Sequence, residues 1–250
     1  MIKISDMISI VIPVYNAENS LSELYSNLVE VLEYIDVDYE IIFIDDYSLD
    51  KSYSEIKEIA AVDSKVKALK LAKNFGQQNA ILCGFNYISG DYAVTMDDDL
   101  QHKAEDIKLL YEKIKEGFDI VYAVPQNREY GIYRKLGSKL TNILFNIISS
   151  KESDIRVSSY RIMKRTLVDK IVKDKRSFIY ISALVLKHTD NIANINVSHY
   201  NRKHGESNYN FFKLLKLFLN LFIYYGNLSI LKKFREKGKQ YEIEETVNIE

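Results

Sequence analysis

At 250 residues the chain fits one large domain, or one domain with an appendage, and is long enough to bury a sizeable core. Hydrophobic residues make up 47% and charged residues 28%, and a net charge of −1 gives no global field favouring nucleic acid. A single cysteine, Cys83, excludes an internal disulfide and suits a reducing compartment. Two prolines and nine glycines leave little room for linkers. The first residues carry Lys3 and Asp6, and the apolar run after them stops at Pro13, so no secretory leader is expected.

Ile8 to Val14, nearly all β-branched, is expected to be a buried strand with Pro13 at its end, where no ladder donor is needed. Ser20 and Glu23 have the S-x-x-E spacing of a capping box. Leu21, Leu24, Leu28, Val31, Leu32 and Ile35 follow at helical spacing. Tyr39 to Ile44 reads as a second strand, ending in Asp45 and Asp46. Residues 51–62 read as a helix, Val66 to Leu71 as a strand followed by Asn74, and Gln77 to Ile88 as a helix that buries Cys83. Tyr92 to Met96 is a short apolar strand that ends abruptly in Asp97, Asp98 and Asp99. Ala104 to Glu116 is an amphipathic helix closed by Gly117, and Asp119 to Val124 is a further strand. This alternation predicts an α/β fold, with a mostly parallel sheet covered by helices on both faces.

Polar residues recur just after the strands: Tyr15 and Asn16, Asp45 and Asp46, Asn74, then Asp97 to Asp99. In an open α/β sheet those ends share one edge, and ligands bind in the crevice beyond it. Side chains alternate along an extended segment, so Asp97 and Asp99 should point one way and Asp98 the other. Two carboxylates aimed at one place repel unless a cation lies between them. Hard oxygen ligands suit Mg²⁺ or Mn²⁺, shared with a diphosphate. A solvated acidic turn is the bland alternative. No G-x-G-x-x-G follows the first strand and no G-x-x-x-x-G-K-[ST] occurs, which disfavours a dinucleotide-binding dehydrogenase and a P-loop NTPase.

Four ordered segments carry a resemblance: I-S-I-V-I-P-V-Y-N from Ile8, D-D-Y-S-L-D from Asp45, N-F-G-Q-Q-N-A from Asn74 and D-D-D-L-Q from Asp97. Over about residues 8–125 the chain resembles family 2 glycosyltransferases with the GT-A fold, a Rossmann-like sheet. R-K-L-G-S-K from Arg134, S-S-Y-R-I-M-K-R from Ser158 and R-K-H-G-E-S-N-Y from Arg202 are similar to segments of its polyprenyl-phosphate subgroup, which includes dolichol-phosphate mannosyltransferase.

The resemblance implies a nucleotide site at Pro13, Tyr15, Asn16, Asp45, Asp46, Asn74, Asp97 and Asp98. It implies that Asp97, Asp99 and Gln101 hold Mg²⁺ or Mn²⁺, and that Arg134, Ser138, Arg202 and Ser207 contact an acceptor phosphate. Asp99, Arg134, Ser138 and Arg202 would form the catalytic set. The implied activity is metal-dependent, inverting transfer of a sugar from a nucleotide-sugar to a polyprenyl phosphate at the cytoplasmic membrane face. Transfer to a sugar hydroxyl of a surface polysaccharide or lipid-linked oligosaccharide stays open, as does a non-catalytic nucleotide-sugar-binding protein.

An anionic phosphate acceptor needs no strong base, whereas a hydroxyl does. The second half shows no E-D pair resembling such a base. The chain departs from the subgroup at His102, Lys103 and Ala104, in place of D-P-P, at Ser158 and Ser159, in place of a glycine and an acid, and at Asn208, in place of a lysine.

The expected organisation is a glycosyltransferase domain over 1–205, an amphipathic helix over 206–235 and an acidic, disordered tail over 236–250. Within the first, 8–125 would be the nucleotide and metal half and 126–205 the acceptor half. Ile132 to Ile148 reads as an amphipathic helix with Arg134, Lys135 and Lys139 on its basic face. Tyr209 to Ile230 is the most apolar stretch, broken by Lys213, Lys216 and Asn220. Its uninterrupted part is far short of the ~20 residues a membrane span needs. It is expected to lie in a membrane interface at 209–230, with packing on the sheet as the rival. The chain is thus expected to be cytoplasmic and peripheral to the inner face of the cell membrane. No nucleic-acid partner is expected, and a homo-oligomer is left open.

Overall fold

The computed structural model describes residues 6–126, 155–198, 211–226, 231, 233 and 237–249. They form β1 (Met7–Val14), α1 (Leu21–Ile35), β2 (Asp38–Asp45), α2 (Ser52–Val62), β3 (Val66–Leu71), α3 (Gln77–Phe85), β4 (Tyr92–Thr95) and α4 (Asp106–Ile114). These are followed by β5 (Ile120–Pro125), β6 (Arg161–Lys164), α5 (Arg165–Ile171), α6 (Ile181–His188), β7 (Ile192–Val197), α7 (Phe211–Tyr225) and β8 (Ile243–Val247). The helix expected over 132–148 lies outside the described residues.

All eight strands make one sheet, in the order β7-β5-β6-β4-β1-β2-β3-β8. The β1–β2, β1–β4, β2–β3 and β5–β7 pairs are parallel. Only β6 and β8 run antiparallel to their neighbours. β2 and β3 extend the sheet on one side of β1 and β4 on the other. The carboxyl ends of β1 and β4 therefore flank the reversal in strand order, where an open α/β sheet forms its ligand crevice. Pro13 fits inside this central strand because β4 pairs only with Ile8 to Val11, so the missing N–H breaks no bond to β4.

Alternation along the strands divides the core into two layers. Ile8, Ile10, Ile12, Ile41 and Phe43 pack under α1, α2 and α4. Val11, Ile42, Ile44 and Tyr122 pack under α3, α5, α6 and α7. α3 comes close to the sheet through Gly84, where an added Cβ would meet Val11 Cγ1 at 2.5 Å and Ile44 Cδ1 at 2.7 Å. Cys83 is buried beside it, as expected.

Two expectations are corrected here. The capping box does not form at α1: Ser20 makes no side-chain cap, and its hydroxyl donates to the carbonyls of Ala17 and Asp98 instead. The acidic tail is ordered in part, because Ile243 to Val247 pair with β3 as an antiparallel edge strand. Its glutamates face solvent and meet lysines, Glu245 with Lys57 and Glu244 with Lys70. α7 packs along one side. Leu221 and Tyr225 are buried against the α3 side of the sheet, Leu217 and Phe222 pack beside them, and Leu219 is exposed. Among the described residues no helix is long and apolar enough to cross a membrane.

Candidate active site

The loops after β1, β2, β3 and β4 meet at the reversal and are bolted together by side chains. Asp98 Oδ2 accepts the Tyr15 N–H at 3.1 Å, and Ser20 Oγ donates to the Asp98 carbonyl at 2.7 Å, which ties the β4 loop to the β1 loop. Asn16 N–H donates to Ser48 Oγ at 3.0 Å, and Leu49 N–H returns to Asn16 Oδ1 at 2.8 Å, tying β1 to β2. Asp46 accepts from the backbone N–H of Phe75 at 2.7 Å and Gly76 at 2.8 Å, tying β2 to the start of α3. Asp45 accepts from Ser48 N–H and closes its own loop.

These carboxylates sit where burial opposes their charge. Desolvation pushes Asp46 up to about 6 against the two N–H bonds it accepts, and Asp45 is raised in the same way. Asp98 is pushed up to about 7, by burial first and then by the neighbouring charges of Asp97 and Asp99. Asp98 turns to the β1 backbone, while Asp97 is bonded on other sides.

Asp97 is held by residues that lie in the quoted motifs but were given no role there. Its Oδ1 accepts from Gln77 Nε2 at 2.6 Å and its Oδ2 from Ser159 Oγ at 2.8 Å. Its N–H donates to His102 Nδ1 at 3.3 Å, and the His102 ring stacks on Tyr160 with centroids 4.7 Å apart. Ser159 is set by the antiparallel β6. Its carbonyl accepts from Thr95 Oγ1 at 2.6 Å, and Thr95 in turn accepts from the buried Arg161 Nε at 3.2 Å. Arg161 also reaches Ser182 Oγ at 3.0 Å. After the triplet, Leu100 takes a left-handed conformation that folds the Gln101 N–H back to Asp99 Oδ1 at 3.2 Å.

Of the nucleotide-site residues, Tyr15, Asn16, Asp45, Asp46, Asp97 and Asp98 are joined in this way. Pro13 is buried in β1, and Asn74 is exposed on the loop before α3. Arg134, Ser138, Arg202 and Ser207 lie outside the described residues. Gln77 had a sequence signal, since it opens a helix directly after Gly76, at the same sheet edge as the acids. Ser159 was visible only as a departure from the subgroup's acid, with no sign that it would bond Asp97.

The donor set suits a small divalent cation shared with phosphates. Among the described residues no group of three or more His, Cys, Asp or Glu side chains is placed to hold a metal ion by itself. Mg²⁺-type sites usually take one or two carboxylates and complete the shell with substrate phosphates and water. The donors that fix Asp97, an amide and a hydroxyl, are neutral.

The family model described as "Glycosyl transferase family 2" matches residues 9–172. The chain is 36% identical over 215 residues to an undecaprenyl-phosphate 4-deoxy-4-formamido-L-arabinose transferase of Enterobacter sp. (strain 638). It is 35% identical to the protein of that description in Salmonella choleraesuis (strain SC-B67). Each match covers 86% of this chain and 66% of the relative, so the chain spans just under two thirds of their length.

Among solved structures, glucosyl-3-phosphoglycerate synthase from Mycobacterium tuberculosis, with Mn²⁺, UDP and phosphoglyceric acid, aligns with a TM-score of 0.63 at 16% identity. That alignment covers 87% of this chain and 76% of the other. S. aureus TarS 1–349 with UDP-GlcNAc aligns at 0.57 and 18% identity, over 91% and 69%. These likenesses identify the architecture as GT-A. The sheet order, the acids at its edge and the family match agree: the chain belongs to glycosyl transferase family 2.

Proposed function

We propose that this chain transfers a sugar from a nucleotide-sugar to a polyprenyl phosphate. The carrying observation is the 36% identity, over 86% of the chain, to a transferase named for an undecaprenyl-phosphate substrate. The acids gathered at the sheet reversal support the donor half of the reading.

Asp97 and Asp99, with Gln101, would hold Mg²⁺ or Mn²⁺. The bound ion supplies Lewis-acid stabilisation of the departing nucleoside diphosphate. The remaining work falls to the chain. Gln77 and Ser159 fix the Asp97 carboxylate before the donor arrives, so its orientation costs nothing at the moment of reaction. Asp98 and Ser20 lock the β1 loop beneath the nucleoside. Arg134, Ser138, Arg202 and Ser207 are proposed to clamp the acceptor phosphate, guanidinium to oxyanion. A phosphate oxygen is already anionic near neutral pH. It forms the new bond to the anomeric carbon as the bond to the diphosphate breaks, and the diphosphate keeps the electron pair. No general base is required.

A peripheral place at the cytoplasmic membrane face would bring the chain to its lipid substrate. α7 is proposed to contribute there through its exposed side, which includes Lys216 and Leu219.

The test is a two-step one. A thermal-shift panel of UDP, GDP, dTDP and CDP, with Mn²⁺ or with EDTA, should raise the melting temperature for one nucleotide in the presence of metal. The matching nucleotide-sugars with undecaprenyl phosphate in vesicles should then yield glycosylated lipid phosphate. Asp99→Ala should remove turnover without lowering the unliganded melting temperature. Transfer only to a glycan hydroxyl would overturn the acceptor assignment. A panel with no shift would overturn the donor site.

A further inference from the structure

Five non-glycine residues among those described have positive φ: Asn16 (52°), Asp36 (58°), Tyr47 (66°), Leu100 (58°) and Asn248 (58°). Asparagine and aspartate tolerate this region, and a bulky side chain does not. Leu100 and Tyr47 are therefore the two that need a reason. Leu100 has one, because it is half-buried and packs against the core under α1 and α4. Tyr47 is 42% exposed and belongs to neither core layer, so no apolar burial offsets its backbone cost. Strain that the fold does not recover is a mark of function.

Its surroundings indicate which function. Tyr47 directly follows Asp45 and Asp46 at the carboxyl end of β2. The Asn16–Ser48 and Asn16–Leu49 bonds fasten this loop to the loop of Tyr15. Tyr15 (48% exposed), Tyr47 and Leu49 (80% exposed) are three of the seven large apolar residues that stand exposed among the described residues. Two tyrosines and a leucine are thus exposed on joined loops that follow β1 and β2, next in sequence to two buried carboxylates.

We propose that Tyr47 is a stacking platform for the nucleobase of the donor and a determinant of donor affinity. This rests on the reading of the crevice as a nucleotide-sugar site. A nucleotide-sugar is linear: base, ribose, diphosphate, sugar, and then the acceptor beyond. Its diphosphate end is assigned to Asp97 and Asp99, at the end of β4. β1 separates β4 from β2, so the Tyr47 loop stands two strand spacings away, roughly 10 Å. That is the span of a nucleoside. The sugar and the acceptor lie on the far side of the diphosphate, which keeps a lipid chain away from Tyr47. A tyrosine ring stacks on the π face of any base, so Tyr47 raises affinity for all bases while other groups select among them.

Two variants and two ligands test this. Titration calorimetry would use a nucleoside diphosphate with Mn²⁺, and inorganic pyrophosphate with Mn²⁺ as the probe that lacks a base. Tyr47→Asn accepts the left-handed backbone and removes the ring. It should keep or raise the unliganded melting temperature, bind the nucleoside diphosphate about tenfold more weakly, and bind pyrophosphate like the unaltered protein. Tyr47→Phe should match the unaltered protein with both ligands.

Nucleotide affinity unchanged in Tyr47→Asn would overturn the proposal. So would an equal loss of pyrophosphate binding or a lower melting temperature, either of which makes Tyr47 a support of the loop. If the unaltered protein binds no nucleoside diphosphate, the donor reading falls and this inference falls with it.

Discussion

Two carboxylates near opposite ends of β2 are equally hidden and differently treated. Glu40, near the amino end, is 4% exposed, and Asp46, just past the carboxyl end, is 3% exposed. Burial pushes both upward. Around Glu40 that effect is overridden by Lys67 Nζ at 2.7 Å, Ser9 Oγ at 2.6 Å and the Ser89 N–H, and its carboxyl ends below its ordinary value. Asp46 receives only backbone N–H groups, with the charge of Asp45 beside it, and is left at about 6. The amino end of the sheet is neutralised by a cation and serves stability. At the carboxyl end no cation offsets the burial of Asp46, and its carboxyl stays raised.

Removing the cation at the amino end should have the largest effect. Lys67→Met leaves Glu40 buried and unpaired, and breaking a buried pair this way costs about 3–5 kcal/mol. Urea unfolding would measure it, and a loss below about 1 kcal/mol would mean that the serine donors alone hold Glu40. At the other end, Asp46→Asn offers one acceptor oxygen where two N–H groups need one each. The loss should be about 1–3 kcal/mol, from one unsatisfied backbone donor.

The two ends should also answer pH with opposite signs. Asp46 binds its proton more tightly folded, at about 6, than unfolded, near 3.9. Its contribution to stability therefore declines as pH rises from about 4 to about 6, by at most about 3 kcal/mol. Glu40 is depressed, so its contribution is present above its unfolded value, near 4.3, and is lost as pH falls. Urea midpoints between pH 4 and 7 should show the Asp46 slope vanish in Asp46→Asn. In Lys67→Met the Glu40 slope should weaken, since burial is then opposed only by the Ser9 and Ser89 donors. A Glu40 slope of unchanged size would refute the assignment of the depression to Lys67.

The residues that could be read from sequence were those whose local pattern and global place coincide. Ile8 to Val14, Tyr39 to Ile44 and Val66 to Leu71 are long apolar runs bounded by polar loops, and each forms a strand. The acids after them converge because parallel strands share one carboxyl edge. The segment from Ile155 to Val197 resisted reading because its elements are short. β6 has four residues, α5 seven and α6 eight, too few for a period to show. Ser159 stood out only as a departure from the subgroup, and its bond to Asp97 had no local sign. Long-range bonds such as Gln77 to Asp97 depend on how α3 is seated, which Gly84 permits and no local pattern announces. β8 was masked by composition. Tyr241, Ile243 and Ile249 pack beside one core layer and Val247 beside the other, but four glutamates from Glu242 to Glu250 read as a solvated tail.

That edge strand supplies the smallest expected effect and a control for the comparison. Glu245 is also paired with a lysine, Lys57, at 2.6 Å, but both side chains are largely exposed, at 42% and 45%. Water already solvates the two charges, so their pairing gains little and salt screens what it gains. β8 is held by its backbone ladder to β3 and by Asn248 Nδ2, which donates to the Ala60 carbonyl at 2.6 Å and the Val66 carbonyl at 2.9 Å. Glu245→Gln should therefore leave the urea midpoint unchanged, at low salt and at high, whereas Glu40→Gln should lower it clearly by stranding Lys67. If the two variants lost equal stability, burial would not be what separates the paired carboxylates. The contrast between the two ends of β2 would then need another cause.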